Sequence, residues 1–283
     1  MARRSHWRRW AVLLLTLAMV AGGIYTAVVF LQRSEKLVSE RCTAVGGEAH
    51  ELATDQAANA ALITAVAVRR GLPPRAASIA LATAMQESKL RNISHGDQAG
   101  PDSRGLFQQR PSQGWGTAEQ VMDPFHASNA FYDALMKVSS YQSLEITDAA
   151  QRVQRSAYPT AYAKHEGMAR AFASALAGQT AAGLDCTLRA PEAAGDPSVL
   201  QTELTAAFGA VPMSADGRTV VVEAAGTQAW AVAHWAVANA KALAITGVQT
   251  DGRSWTRAER NGWQASAAPA GQVVVTLAAD PAK

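Results

Sequence analysis

Cysteine is nearly absent from this chain. Only Cys42 and Cys186 occur. No peptidase signature surrounds either one, which argues against a Cys–His peptidase built with His126 or His165. His95, His126 and His165 show no metal-ligand spacing, so no metal site is expected. Net charge is also scarce. The formal value is +3, and four arginines (Arg3, Arg4, Arg8, Arg9) precede residue 11. The rest of the chain is about neutral, which leaves no case for nucleic-acid binding by the folded part. There is no internal repeat. Between residues 11 and 31 there is no charge at all.

That uncharged run of 21 residues, AVLLLTLAMVAGGIYTAVVFL, is long enough to cross a bilayer. With arginines before it, the positive-inside rule places residues 1–10 in the cytoplasm as a basic tail. Residues 11–31 are then a transmembrane anchor and 32–41 a stem, and the remainder is extracytoplasmic. The rival is a cleaved signal peptide. Its apolar region is usually shorter, and no Ala-x-Ala site is evident. Outside the membrane an even cysteine count points to a Cys42–Cys186 disulfide, the alternative being two free thiols.

Residues 55–70 read as a helix with Ala58, Leu62, Ala65 and Val66 on one stripe, stopped by Gly71. Pro73-Pro74 precedes a second helix that is apolar on every side, with Ile79, Leu81 and Met85 among alanines. Such a helix is buried. It ends in Gln86-Glu87-Ser88, and residues 92–104 form a polar loop. Asp123-Pro124 opens another helix, with Asp at the N-cap and Pro at N1. Helices over 147–155 and 166–177 follow, the first broken by Tyr158-Pro159 and the second ended by Gly178. Residues 42–186 are therefore expected to be nearly all helical.

Composition changes after Cys186. Residues 190–197 read as a linker. Beyond it come a helix at 198–208, a strand at 219–223 and an apolar helix at 227–243 carrying Trp230 and Trp235. A hairpin follows, with strands at 245–250 and 253–256 turning at Asp251-Gly252, and then a last strand at 272–277. Two tryptophans on an apolar helix read as core rather than as a ligand box.

Glu87 sits at the exit of a core helix. The negative end of the macrodipole and partial burial both disfavour its charged form and raise its pKa, as a general acid requires. Downstream stands Gly105-Leu106-Phe107-Gln108-Gln109-Arg110-Pro111. Together, Gln86-Glu87-Ser88, this segment, and Asp123-Pro124 with Phe131, Tyr132 and Leu135 resemble the lytic transglycosylases of the lysozyme-like superfamily. There a glutamate closes a buried helix and a Gly-Leu-Met-Gln-x-x-Pro segment lines the sugar cleft. In place of that family's Ala-Tyr-Asn-Ala-Gly segment stands AQRVQRSAYPTAYAKH, residues 150–165, which looks like an actinobacterial branch of lysozyme-like cell-wall proteins.

The resemblance implies Glu87 as the catalytic residue. Ser88, Gln108, Gln109, Trp115, Tyr158 and Tyr162 become candidates for substrate binding. Gln108 suits sugar hydroxyls or acetamido groups, or else anchors its loop. Trp115, between two glycines, is free to stack on a sugar ring or to tuck into the core. Tyr158 and Tyr162 line the cleft or pack a helix end. Asp97 and Asp102 are candidates for a second carboxylate, although loop aspartates more often make turns.

The fold class expected is mainly α: an N-terminal transmembrane helix, a lysozyme-like helical domain at 42–189, the 190–197 linker, and a small α+β domain at 198–283. The implied activity is cleavage of the β-1,4 bond between N-acetylmuramic acid and N-acetylglucosamine in peptidoglycan, by transglycosylation or by hydrolysis. No cofactor is implied. The alternatives are a catalytically idle glycan-binding module and a structural part of an envelope secretion or conjugation system, with the C-terminal domain contacting envelope partners. Neither needs a working Glu87.

Overall fold

The protein is described here by a computed structural model covering residues 2–33, 37–98, 100–156, 158 and 160–280. Pro159 and part of the expected stem lie outside these residues. The chain falls into two compact units, Met1–Ser39 and Glu40–Lys283. In the first, helix α1 (Ala2–Arg33) contains an 18-residue window, Leu13–Phe30, with mean hydropathy 2.2. It is long and apolar enough to cross a membrane.

The second unit opens with strands β1 (Arg41–Gly46) and β2 (Glu48–Leu52), then helices α2 (Thr54–Arg69) and α3 (Pro74–Ser88). Short α4 (Ala118–Met122) is followed by α5 (Pro124–Met136), α6 (Ile146–Gln154) and α7 (Glu166–Leu176). Strand β3 (Leu184–Thr187) returns to pair with β1, giving an antiparallel sheet of order β2-β1-β3. Cys42 lies directly opposite Cys186 in that ladder, and the two are joined by a disulfide.

Next come α8 (Pro197–Phe208), β4 (Met213–Asp216), β5 (Thr219–Glu223), α9 (Gly226–Ala238), β6 (Ile245–Thr250), β7 (Arg253–Thr256), β8 (Trp263–Ala265) and β9 (Gln272–Leu277). The strands form a six-stranded antiparallel sheet of order β4-β5-β9-β6-β7-β8. The Asp251-Gly252 turn forms, with φ of 45° and 72° as a two-residue hairpin of type I′ requires.

The expectation of a mainly α protein is therefore corrected. The chain is 46% helix and 17% strand, with two antiparallel sheets, and its class is mixed α/β. The sheet β2-β1-β3 went unread because its strands are short and half-exposed. In β1 the alternation is confined to Cys42 and Ala44, too short to read as a strand, and β2 is mostly polar (Glu48, His50, Glu51). Strands β4 and β8 sit at the sheet edges, where few side chains are buried.

Helix α3 is the axis of the helical part. Ala76, Ala77, Ile79, Ala80, Leu81, Ala82 and Ala84 are all buried, and α3 packs against α2, α5, α6 and α7. Pro74 starts it, where a missing N–H costs nothing. Lys89 and Leu90 end it, both in the left-handed region, with the Leu90 amide donating to Ala84 O at 3.0 Å and the Leu90 side chain buried. This abrupt stop leaves Gln86 and Glu87 on the last turn.

Helix α9 packs on α2 and α7 as well as on β6 and β9, so one hydrophobic core runs from Cys42 to Leu277. Trp230 and Trp235 are buried in it, as core residues. The segment before α8 is pinned rather than loose, with the Gly195 amide donating to Ala278 O at 3.1 Å.

His234, also on α9, is fully buried between Trp230 and Trp263, with Nδ1 2.7 Å from Ala175 O. Burial lowers its pKa to about 4, although the Ala175 hydrogen bond opposes this. An unfolded histidine titrates near 6.5, so between about pH 6.5 and 4 the unfolded chain binds more protons than the folded one. Stability is complete above that window and is lost as pH falls through it, by up to about 1.4 kcal/mol per pH unit. His165, lowered to about 4 by burial, contributes in the same sense. Urea midpoints should fall from pH 7 to 4.5, and His234→Phe should flatten that dependence.

Candidate active-site cleft

A cleft of about 1070 Å³ opens beside the last turn of α3. Its wall after Glu87 is a compact loop tied by two bridges, Ile93 with Gly105 and Arg104 with Gln109. Gly105 has φ +78°, and a Cβ there would lie 2.2 Å from Val121 O, so only glycine fits. Leu106 and Phe107 drop into the core, where Phe107 stacks on Phe131 at 4.6 Å between centroids. The loop's apolar pair is thus its anchor, and Gln108 is left on the cleft wall in the left-handed region, φ 49°. For a residue other than glycine that conformation is strained, and such strain clusters at functional sites.

Glu87 and Tyr162 meet inside this wall. The Tyr162 hydroxyl donates to Glu87 Oε1 at 2.7 Å, and the Tyr162 side chain is fully buried. Burial raises the Glu87 pKa, while hydrogen bonds from Tyr162 and Gln154 hold it down in part. Burial and the Glu87 charge push the Tyr162 phenol up, so it stays protonated and remains a donor. Gln154 of α6 also donates to Phe107 O at 2.8 Å, joining the third wall to the loop. His165 Nε2 lies 3.2 Å from Gln86 Oε1. Burial, with the nearby Lys164 and Lys89, lowers its pKa to about 4 and keeps the ring neutral at pH 7.

Of the residues expected to bind substrate, Gln108, Trp115 and Tyr158 line the cleft, and Tyr158 is 74% exposed. Ser88 does not. It is buried, with Oγ 2.7 Å from Leu106 O and 3.0 Å from Ala84 O, and so it ties the loop to the helix. Gln109 borders the cleft, but its side chain is 1% exposed and donates to Ala127 O at 3.1 Å, making it a loop anchor. Tyr162 reaches Glu87 from behind, through the core. Asp102 does not line the cleft; hydrogen bonds from the Ser112 side chain and amide, the latter at 3.0 Å, and then from Arg110 Nε at 2.9 Å hold its carboxyl far below the usual range. Asp97 faces the cleft and accepts from the Gly100 amide at 2.9 Å, as a turn aspartate does.

The sequence reading missed Gln86, Gln154 and the cations Lys137, Arg152 and Arg155, all on the cleft. The crowding of charge and amide at the end of α6 could have signalled Arg152, Gln154 and Arg155, but nothing along the chain marks Gln86 or Lys137. Among the described residues no group of three or more His, Cys, Asp or Glu could hold a metal ion. Compared with protein-family models and with curated proteins, the chain matches none.

The arrangement offers one carboxyl whose protonated form burial favours, oriented by a phenol and beside amides suited to hydroxyl and acetamido groups. Tyr162→Phe removes a hydrogen bond that favours the Glu87 carboxylate. The Glu87 pKa should rise further, since the carboxylate loses a hydrogen bond that its neutral form needs less. The check is ¹³C NMR titration of glutamate carboxyls, with Glu87→Gln assigning the resonance.

Proposed function

We propose that this protein cleaves the glycan strands of peptidoglycan at the β-1,4 bond between N-acetylmuramic acid and N-acetylglucosamine, with Glu87 as general acid. The observation that carries this reading is a single carboxyl of raised pKa, hydrogen-bonded by a buried tyrosine at the edge of a long open cleft. The resemblance of Gln86-Glu87-Ser88 and Gly105-Leu106-Phe107-Gln108 to lytic transglycosylases supports the same chemistry. Glu87 gives its proton to the glycosidic oxygen, and an oxocarbenium-like state develops on the muramoyl sugar. The 2-acetamido group of the substrate supports that state in place of a second carboxylate. Glu87, now ionised, then takes the proton of the muramoyl 6-hydroxyl as it closes a 1,6-anhydro ring. In this reading residues 11–31 form a single-pass anchor, and the rest of the chain works outside the cytoplasm on the wall.

Mass spectrometry of muropeptides released from sacculi by the purified full-length protein tests this. Anhydromuramoyl ends are expected. Reducing muramoyl ends would make it a hydrolytic muramidase. Bound but uncut strands would leave a glycan-binding module.

A further inference from the structure

We propose that the wall of this cleft formed by the ends of α5 and α6 recognises anionic substituents on the glycan strand, namely carboxylate or phosphodiester groups carried outside the sugar rings. The proposal rests on the reading of the cleft as a glycan site and names the class of strand it takes.

The observation is a concentration of positive charge that the chain as a whole does not have. Outside its four leading arginines the sequence is about neutral. Yet Lys137, Arg152 and Arg155 all line this one cleft, and Arg110 adds a cation already joined to Asp102. Among the described residues the acidic groups lining the cleft are Glu87, which burial biases toward its neutral form, and Asp97. Among the described residues no ion pair or side-chain hydrogen bond engages Lys137, Arg152 or Arg155. Elsewhere on this unit five arginines are ion-paired, Arg41 with Glu51, Arg70 with Asp133, Arg75 and Arg170 with Glu166, and Arg91 with Asp55, while Arg69 and Arg104 reach only backbone carbonyls.

The backbone places these groups. Lys137 is the C-cap of α5, and Arg152 lies in the last turn of α6. Cations there complement a helix dipole, but one suffices for that, and α6 ends in two. The second, Arg155, is held in the left-handed region at φ 53°, with its amide donating to Gln151 O at 2.8 Å. Gln151 Nε2 in turn donates to Ser156 O at 2.8 Å, fixing the chain as it leaves the helix. A glycine would hold this turn without strain. An arginine there puts a guanidinium on the cleft. The guanidinium fork matches the paired oxygens of a carboxylate or phosphodiester, and a concave wall of one sign concentrates such groups.

A glycan backbone of N-acetylated sugars offers few charges to such a wall. Stem peptides carry free carboxylates, and secondary wall polymers are attached through phosphodiesters. A strand bearing them should therefore bind better than a bare one.

Full-length Glu87→Gln protein in detergent, which leaves strands intact, is titrated by fluorescence anisotropy with end-labelled soluble strands. One set carries its peptides, one has them removed by an amidase and the lactyl carboxylates so freed converted to methylamides, one has the peptide carboxylates converted to methylamides, and one has phosphodiester-linked polymers removed. Exposed charge pairs are individually weak and several act together here, so about 5- to 10-fold weaker binding is expected on losing the recognised anion. That preference should shrink between 0.05 and 0.5 M salt and fall within twofold when Arg152→Gln and Arg155→Gln are added. Whichever treatment removes the preference, methylamidation or phosphodiester removal, identifies the source of the anion. Initial cleavage rates of the otherwise wild-type protein on the same strands give a second measure. Equal binding of all four sets, or a preference that survives both substitutions, overturns the inference. Equal binding with intact cleavage overturns it alone. Anion-dependent binding without any cleavage by the wild type overturns the proposed activity and leaves this inference standing.

Discussion

Glu87→Gln should reduce release of muropeptides from sacculi at least about a hundredfold. A glutamine keeps the shape and can still accept the Tyr162 hydrogen bond at the atom that now sits 2.7 Å from the hydroxyl. It has no proton to give at the pH of the assay, and general acid catalysis is worth about 10² to 10⁴-fold. The fold should survive, since the side chain lies at the open end of α3 and the buried face of that helix is made by Ala76 to Ala84. Thermal unfolding of the variant should therefore lie close to that of the wild type, so that lost activity reports chemistry alone. Asp97→Asn and Asp102→Asn should each cost much less activity, because the first makes a turn and the second holds Arg110. Equal release by Glu87→Gln and the wild type would sink the assignment.

The second large effect concerns stability. Cys42 and Cys186 are cross-strand partners in β1 and β3, and their disulfide spans 144 residues of sequence. In the chain-entropy model, closing a loop of that length restricts the unfolded chain enough to stabilise the fold by about 5 kcal/mol, with less expected where the unfolded state keeps structure. Both sulfurs are buried, so the bond is shielded in the native state. A Cys42→Ala, Cys186→Ala double variant should show a urea midpoint markedly below that of the oxidised protein, and reductant should lower only the latter. A variant as stable as the oxidised wild type would show that the β2-β1-β3 sheet and the α7 contacts hold the ends of the helical part without the bond.

Much of the helical part was legible along the chain. An almost wholly apolar run with Pro-Pro before it pointed to a buried helix, and α3 is one, starting at Pro74. Asp123 caps α5 through its Oδ1, which accepts from the Phe125 amide at 2.9 Å, as the Asp-Pro pair indicated. The Asp251-Gly252 hairpin was equally plain, because few residues adopt positive φ at two successive positions. The helix start at Glu166 and its stop near Gly178 were read closely as well. Strands β1 and β3 were not. Each is short and carries few inward residues, and their partners stand more than a hundred residues apart in sequence. Of the residues singled out in the sequence, Glu87, Gln108, Trp115 and Tyr158 line the cleft, whereas the side chains of Ser88 and Gln109 turn into the fold. Both are polar residues beside catalytic-looking ones, and only packing shows that their side chains turn inward to carbonyls at Leu106 and Ala127.

By itself the sequence determined what depends on neighbours a few residues apart: which helices are buried, where they begin and end, which turn is tight, and that α1 is long and apolar enough to cross a membrane. Tertiary structure alone decided which faces meet. It brought Tyr162 to Glu87 across 75 residues, set Cys42 opposite Cys186, and turned three cations from the ends of two helices onto one cleft. Local spacing is written into backbone geometry of fixed period. The meeting of distant side chains is chosen by the packing of a whole core, and no window along the chain contains it.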